Sequence, residues 1–97
     1  MIIYVDIDNT ICRIEGMDYK NAVPIKERID KINELFGQGD TIIYWTARGT
    51  ATGDDWSDFT KKQLDGWGAY YNSVKMGKPV YDLFIDDKNI NAENFFK

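Results

Sequence analysis

A short apolar run that ends in two aspartates most strongly constrains how this chain can fold. Residues 2–5 read Ile-Ile-Tyr-Val, and Asp6 and Asp8 follow. β-Branched and aromatic residues without polar alternation are typical of a parallel strand covered on both faces. Because ligands of open α/β sheets bind beyond the carboxyl ends of the strands, the run predicts that both carboxylates lie at a ligand-binding edge.

The two carboxylates also indicate a kind of ligand. Like charges this close are costly unless they share a cation or one of them keeps a proton. Carboxylate oxygens suit Mg²⁺, which proteins bind through one or two carboxylates plus phosphate oxygens. The alternative interpretation is an ordinary polar loop after a strand, and the pair Asp6 and Asp8 alone does not decide between the two.

Composition bounds the class of protein. The 97 residues suffice for one domain, residues 1–97, with a modest core. A net charge of −4 without a basic cluster argues against nucleic acid as a partner. The single cysteine, Cys12, cannot form an internal disulfide, so we expect a reducing, cytoplasmic location. No histidine is present, which excludes Ser-His-Asp and Cys-His mechanisms.

Membrane association is not expected either. The first apolar run has no basic residues before it and is interrupted by Asp6 and Asp8, so it does not read as a signal peptide. No later stretch is long enough to span a bilayer.

Strand and helix patterns alternate along the rest of the chain. The predicted order is a strand at 2–5, a flap or hairpin within 11–23, a helix from Pro24 to about Gly37, a strand at 41–45, a helix ending near Gly66, a weak strand at 70–74, a strand at 81–85 and a short helix at 92–96. This alternation predicts an α/β fold, a three-layer sandwich with a small central parallel sheet.

Further polar residues follow the other predicted strands. Thr46 follows the second strand, Asp86 and Asp87 follow the fourth, and Lys78 lies in the loop before it. Each has an ordinary explanation alone, because most lysines are solvated and a threonine hydroxyl often satisfies local backbone. Parallel strands end at one edge, however, so we expect these groups to converge with Asp6 and Asp8.

These segments resemble a known family. In order, residues 6–10 (Asp-Ile-Asp-Asn-Thr), 46–48 (Thr-Ala-Arg), 78–79 (Lys-Pro) and 85–87 (Ile-Asp-Asp) resemble the four motifs of the haloacid dehalogenase superfamily, over essentially the whole chain. The resemblance implies a haloacid-dehalogenase-like (Rossmannoid) fold, and the segment lengths leave no room for a cap domain. Residues 77–88 resemble small capless phosphatases linked to capsule and lipopolysaccharide sugar synthesis. Asn9 departs from the pattern, since many members have glycine there.

The resemblance implies roles for the acidic residues. Asp6 would attack phosphorus and form an aspartyl phosphate, and Asp8 would act as general acid and then general base. Mg²⁺ would be held by Asp6, the backbone carbonyl of Asp8, and Asp86. Asp87 would support this metal site.

The same resemblance implies a phosphate-binding set. Thr46 and the amide of Ala47 would bind phosphoryl oxygens, and Lys78 would neutralise charge on Asp6 and the phosphoryl group. Arg48 has two interpretations: it reaches the substrate, or it braces its loop by pairing with a carboxylate.

The expected function is that of a Mg²⁺-dependent phosphomonoester hydrolase acting on a sugar phosphate or similar metabolite. The alternatives are a phosphate-accepting or phosphate-binding regulatory module without turnover, and a non-catalytic scaffold that retains the motifs. Without a cap, the site should be open or covered by another subunit, so a homo-oligomer is one expectation.

Overall fold

A three-stranded parallel sheet in the order β1-β4-β5 organises the chain. The structure is a computed structural model that describes residues 1–97. Its strands are β1 (Ile2–Val5), β2 (Cys12–Arg13), β3 (Val23–Pro24), β4 (Thr41–Trp45) and β5 (Ser73–Lys75). Its α-helices are α1 (Lys26–Gly37), α2 (Ser57–Gly66) and α3 (Ala92–Phe95), and a 3₁₀ turn spans Tyr19–Asn21.

The strand register sets the level at which the strands end. Ile2 lies opposite Thr41 and Val5 opposite Tyr44 in the β1–β4 pair, and Trp45 lies opposite Lys75 in the β4–β5 pair. The residues that follow β1 and β4 therefore emerge at one edge of the sheet. This confirms the predicted strands 2–5 and 41–45, whereas the third strand is shorter and lies later than the predicted span 70–74.

The hydrophobic core lies on one face of this sheet. Val5, Ile42 and Tyr44 point into it and are at most 6% exposed. The helices contribute buried Ile29 and Ile32 from α1, buried Leu64 from α2, and the partly buried phenylalanines Phe95 and Phe96 from the end of the chain. The opposite face carries no helix, and Tyr4 on that face is 49% exposed.

One chain therefore forms two layers rather than the predicted three. Crossovers between parallel strands are right-handed in nearly all cases. The crossover from β1 to β4 and the crossover from β4 to β5 move in the same direction along the sheet. Their helices, α1 and α2, must then lie on the same face. A third layer needs a crossover in the opposite direction, and this chain has none.

A small hairpin covers the end of β1. Strand β2 pairs with β3 in antiparallel fashion, with Cys12 opposite Pro24. The amide of Ile25 donates to the carbonyl of Ile11 at 2.9 Å and leads directly into α1. The flap predicted for residues 11–23 is therefore present. Because Pro24 belongs to β3, the first helix begins two residues later than predicted.

The predicted fourth strand is absent. Residues 76–91 form neither helix nor strand, and the large apolar side chains of 81–85 are exposed. A parallel strand beside β1 would need a crossover of a dozen or more residues after β5. Only five residues, 76–80, separate Lys75 from Tyr81. No domain is inserted between the elements, and no helix is long and apolar enough to cross a membrane.

Candidate functional site

A tight turn after β1 positions the first acidic residues. The amides of Thr10 and Ile11 both donate to the carbonyl of Ile7, at 3.1 and 3.0 Å. Asn9 takes φ = 60°, a left-handed conformation that asparagine tolerates better than most residues. The turn brings the Thr10 hydroxyl to Asp6, where it donates to Oδ2 at 3.1 Å.

Lys78 is the charged neighbour of Asp6. Its Nζ lies 3.3 Å from Asp6 Oδ1. The backbone holds the lysine in place, because its amide donates to the Thr46 carbonyl at 3.0 Å and its carbonyl accepts from the Thr50 hydroxyl at 2.9 Å. Asp6 keeps 35% of its side chain exposed. The predicted Lys78–Asp6 proximity is therefore present, and the Asp6 carboxylate remains accessible.

Arg48 holds the second aspartate. Its Nη2 donates to Asp8 Oδ1 at 2.7 Å, and its Nε donates to Oδ2 at 3.0 Å. The guanidinium also donates to the Thr60 hydroxyl at 3.3 Å and lies 4.8 Å from the Tyr19 ring centre. A two-point contact of this kind is strong and directional.

This environment favours one of the two interpretations of Arg48, which are contact with the phosphate of a substrate and a brace for its own loop. The Arg48 side chain has no exposed surface, and Asp8, Thr60 and the Tyr19 ring surround its guanidinium. The structure therefore supports the brace. Asp8 is 18% exposed and stays at the cleft surface.

The loop after β4 presents a backbone donor. Ala47 lines the cleft, and its amide donates no hydrogen bond within the chain. Thr46 is placed differently: it is 1% exposed, does not line the cleft, and its hydroxyl accepts from the Arg48 amide at 3.1 Å. In this structure Thr46 shapes the loop, while Ala47 faces the cleft.

A cleft of about 640 Å³ joins these groups. Asp6, Asp8, Ala47 and Lys78 all line it. Its wall also includes residues that the sequence interpretation did not assign to the site, among them Asn9, Tyr19, Asp54 and Tyr81. The sequence carries no periodic signal for these residues, because they lie in the flap and loops rather than on a helix or strand.

Two aromatic residues, Trp56 and Tyr19, form part of the cleft wall. Trp56 packs edge-to-face on Tyr19 at 4.9 Å between ring centres. Tyr19 in turn lies over Arg48. This wall places an apolar surface in the same cleft as the charged groups of Asp6, Asp8 and Lys78.

Asp86 and Asp87 do not join the cleft. Both are exposed, neither lines it, and no three acidic side chains lie close enough together to hold a metal ion. Their mutual side-chain hydrogen bond lowers the pKa of Asp86 and raises the pKa of Asp87. The physical reason for their position is the missing fourth strand, which was expected to end at this pair.

The predicted Mg²⁺ ligand set is therefore incomplete within one chain. Asp6 and Asp8 line the cleft, and Arg48 engages the two side-chain oxygens of Asp8, whereas the ligand expected from Asp8 is its backbone carbonyl. The other two predicted acids lie elsewhere. These residues alone do not fit the expected metal centre, so no catalytic step within one chain is assigned to a metal.

Cys12 lies beneath the acidic turn, and its thiol is unreactive. Its side chain is fully buried. Burial, with the nearby Asp8 charge as a smaller cause, raises the pKa of its thiol from 9.0 to about 12. A thiol that stays protonated at neutral pH is a poor nucleophile, so Cys12 acts as a small core residue.

Comparisons with known proteins bear on the fold. No protein-family model matches the chain, and no curated protein matches it. Among solved structures, a structural-genomics target from Vibrio cholerae is similar, with a TM-score of 0.88 and 24% sequence identity. The match covers 98% of this chain and 86% of that one. At this identity the likeness supports the arrangement of strands and helices alone.

Proposed function

We propose that this chain cleaves phosphate monoesters, with Asp6 as the nucleophile. The observation that carries the proposal is the placement of Asp6. It lies at the carboxyl end of the first strand, 3.3 Å from Lys78, in a cleft that is also lined by Asp8 and by Ala47, whose amide donates no hydrogen bond within the chain. The order of the motif residues, which resembles the haloacid dehalogenase superfamily, supports the same reaction.

The chemistry follows from these positions. An Asp6 oxygen attacks phosphorus, a phosphorus–oxygen bond forms, and the bond to the ester oxygen breaks. Asp8 protonates the departing oxygen. Water then attacks the phosphorus of the aspartyl phosphate and gives its proton to Asp8, and the bond to Asp6 breaks to release phosphate.

Neighbouring groups reduce the electrostatic cost of this attack. The approach of a phosphate dianion to a carboxylate is repulsive, and the Lys78 ammonium offsets that repulsion from beside Asp6. The Ala47 amide supplies a donor for a phosphoryl oxygen. The aromatic wall formed by the largely buried Tyr19 and the partly exposed Trp56 favours a substrate with an organic body, such as a sugar phosphate.

One observation favours a second candidate function. Both Asp8 oxygens are engaged by Arg48, so proton delivery to a leaving group requires part of that contact to open. A module that accepts phosphate on Asp6 but does not hydrolyse it needs no such opening. The regulatory alternative therefore remains the second proposal.

Turnover separates the two candidates. We expect the wild-type protein, with Mg²⁺ present, to release nitrophenol from an aryl phosphate continuously, and a panel of phosphorylated metabolites to reveal the preferred class. Asp6→Asn should abolish this release while keeping the far-UV circular dichroism spectrum. Asp58→Asn, in the first turn of α2 and outside the cleft, is the matched control and should retain activity.

Three outcomes are distinguishable. A single stoichiometric burst without further release would support the accepting module. Turnover by Asp6→Asn at the wild-type rate would contradict the nucleophile assignment. Absence of any release across the panel would contradict both candidates.

A further inference from the structure

The chain leaves two complementary features without partners. One is the outer edge of β1, which pairs only with β4. Beside this edge Ile2 and Tyr4 are 71% and 49% exposed. The other feature is residues 79–90, called the arm here. Its apolar side chains are exposed: Val80, Tyr81, Leu83, Phe84, Ile85 and Ile90.

Both features are unusual in a monomeric protein. An open strand edge presents unpaired amides and carbonyls and readily pairs with another strand. An arm with this many exposed large apolar side chains is typical of an interaction surface. Its sequence, Tyr-Asp-Leu-Phe-Ile at 81–85, also reads as a strand.

The arm cannot reach its own β1 edge in the parallel direction. Lys78 is held beside the end of β4 by its hydrogen bond to the Thr46 carbonyl. A parallel strand next to the outer edge of β1 would begin roughly 13 Å from Lys78 along the strand direction and roughly 10 Å from it across the sheet. The distance from Lys78 to the start of that strand is therefore about 16 Å. Three Cα–Cα steps from Lys78 to Tyr81 reach at most about 11 Å.

The far end of the arm is also anchored. Glu93 of α3 pairs with Arg28 of α1 at 3.0 Å, and the Arg28 guanidinium lies 4.9 Å from the Phe96 ring centre. Both anchors lie near the strand-end edge of the sheet, because Arg28 also donates to the Thr10 carbonyl. The arm is therefore a loop held at both ends, with an apolar middle that its own chain does not cover.

We propose that the arm of each copy pairs with the β1 edge of a second copy, forming a symmetric dimer in which Asp86 and Asp87 of one copy complete the acidic site around Asp6 of the other. A second copy is the occupant because each chain carries both the donor strand and the free edge, as a self-complementary interface requires. In the parallel direction, a strand at 81–85 ends beside Asp6. This inference rests on the proposed function for its catalytic consequence and not for the dimer itself.

The oligomeric state tests the dimer without any activity. Sedimentation velocity across a tenfold range above low micromolar concentration should give twice the 11.2 kDa chain mass. The double variant Leu83→Asp/Ile85→Asp should sediment as a monomer with an unchanged circular dichroism spectrum, because both side chains are exposed in one chain. The control Val23→Asp, 62% exposed on β3, should stay dimeric. A monomeric wild type, or a dimer untouched by the arm variant, would overturn the proposal.

Mg²⁺ tests whether the arm completes a site. We expect Mg²⁺ to raise the melting temperature of the wild type and of Val23→Asp, because a ligand that binds the folded state stabilises it. The Leu83→Asp/Ile85→Asp variant should show no such shift in melting temperature. It keeps Asp86, but its arm cannot bind the second copy and so cannot place Asp86 beside Asp6 of that copy. An equal shift in the arm variant would show that the second copy contributes nothing to the metal site.

Complementation between two inactive variants tests which copy supplies Asp86. Asp6→Asn and Asp86→Asn chains are co-expressed with different tags and purified together. If the arm is exchanged between copies, random pairing makes half of the dimers mixed, with one chain of each variant. Each mixed dimer then has one intact site out of two. About a quarter of the wild-type activity should therefore return. If each arm serves its own chain, no site is intact and no activity returns. If the wild-type protein is a dimer but shows no phosphatase activity at all, that result would contradict the proposed function and leave the dimer proposal standing.

Discussion

Arg48 and Asp8 form the firmest charged contact in the site, with a fully buried guanidinium on a carboxylate that still faces the cleft. The contact joins the loop after β4 to the turn after β1. It therefore fixes how the two strand ends sit relative to one another. Removal of the arginine would leave Asp8 without its partner and would leave a cavity beneath the Tyr19 ring.

The first prediction concerns this pair. Arg48→Met should lower the free energy of unfolding by about 3–5 kcal/mol, because it leaves a partly buried carboxylate uncompensated. Arg13→Met is the matched control: Arg13 is 61% exposed and lies 4.0 Å from Glu93, so its loss should change the free energy by less than about 0.5 kcal/mol. Urea denaturation followed by circular dichroism measures both. Equal small losses would show that the Arg48–Asp8 pair does not support the fold.

The second prediction concerns Asp8 as an acid and base. Asp8→Ala should reduce turnover of a sugar phosphate by roughly 10²–10⁴-fold, because an alkoxide leaves poorly without a proton. Nitrophenolate leaves readily, so with an aryl phosphate the first step should survive while hydrolysis of the aspartyl phosphate becomes slow. Stopped-flow absorbance should record a burst comparable to the enzyme concentration. Equal losses on both substrates without a burst would assign Asp8 a purely positioning role through Arg48.

The third prediction concerns the turn after Arg48. Gly49 has φ = 81°, and a Cβ there would lie 2.0 Å from the Asp54 carbonyl oxygen. Gly49→Ala should therefore destabilise the protein and displace the loop that carries Ala47. Gly53→Ala is the control, because Gly53 has φ = 79° with open space around its Cα and suffers only the left-handed strain, roughly 1–2 kcal/mol. The difference between their denaturation midpoints isolates the close approach, and identical midpoints would contradict it.

The fourth prediction concerns pH. The thiol pKa of Cys12 is raised from 9.0 to about 12 in the folded chain, so the folded state holds this proton more tightly than the unfolded state. The corresponding stability is fully present below pH 9 and is lost as the pH rises from 9 towards 12, at up to about 1.4 kcal/mol per pH unit. Stability of the wild type should therefore fall more steeply over this window than that of Cys12→Ala. If the free energy of unfolding falls equally with pH in the wild type and in Cys12→Ala, the buried thiol does not contribute to the pH dependence of stability.

Local patterns predicted strand β1 and the position of the acidic residues that follow it. The unbroken apolar run of β1 and the acids behind it indicate where a parallel strand ends, and the helical spacing of Ile29 and Ile32 places α1 against the sheet. These features depend on neighbouring residues only, so the chain encodes them over short stretches. The proximity of Lys78 to Asp6 followed from them, because strands paired in register end at one edge.

What sequence patterns could not predict depends on connections rather than on composition. Residues 81–85 have the composition of a strand, but a five-residue link from β5 cannot carry the chain back across the sheet. The length of that link excludes a parallel fourth strand in the same chain, although the apolar pattern favours one. The handedness of the two crossovers likewise places the helices on one face and limits the chain to two layers.

The sequence by itself therefore determined strands β1 and β4, helices α1 and α2, the acidic turn after β1 and the chemistry of its side chains, because apolar periodicity and residue type act locally. The tertiary structure decided which charges meet: Arg48 turns inward to Asp8, Thr46 supports its own loop, and Asp86 and Asp87 stay outside the cleft. These outcomes depend on which strands become neighbours. Neighbouring strands in turn depend on link lengths and on the right-handed crossover, which no single motif contains.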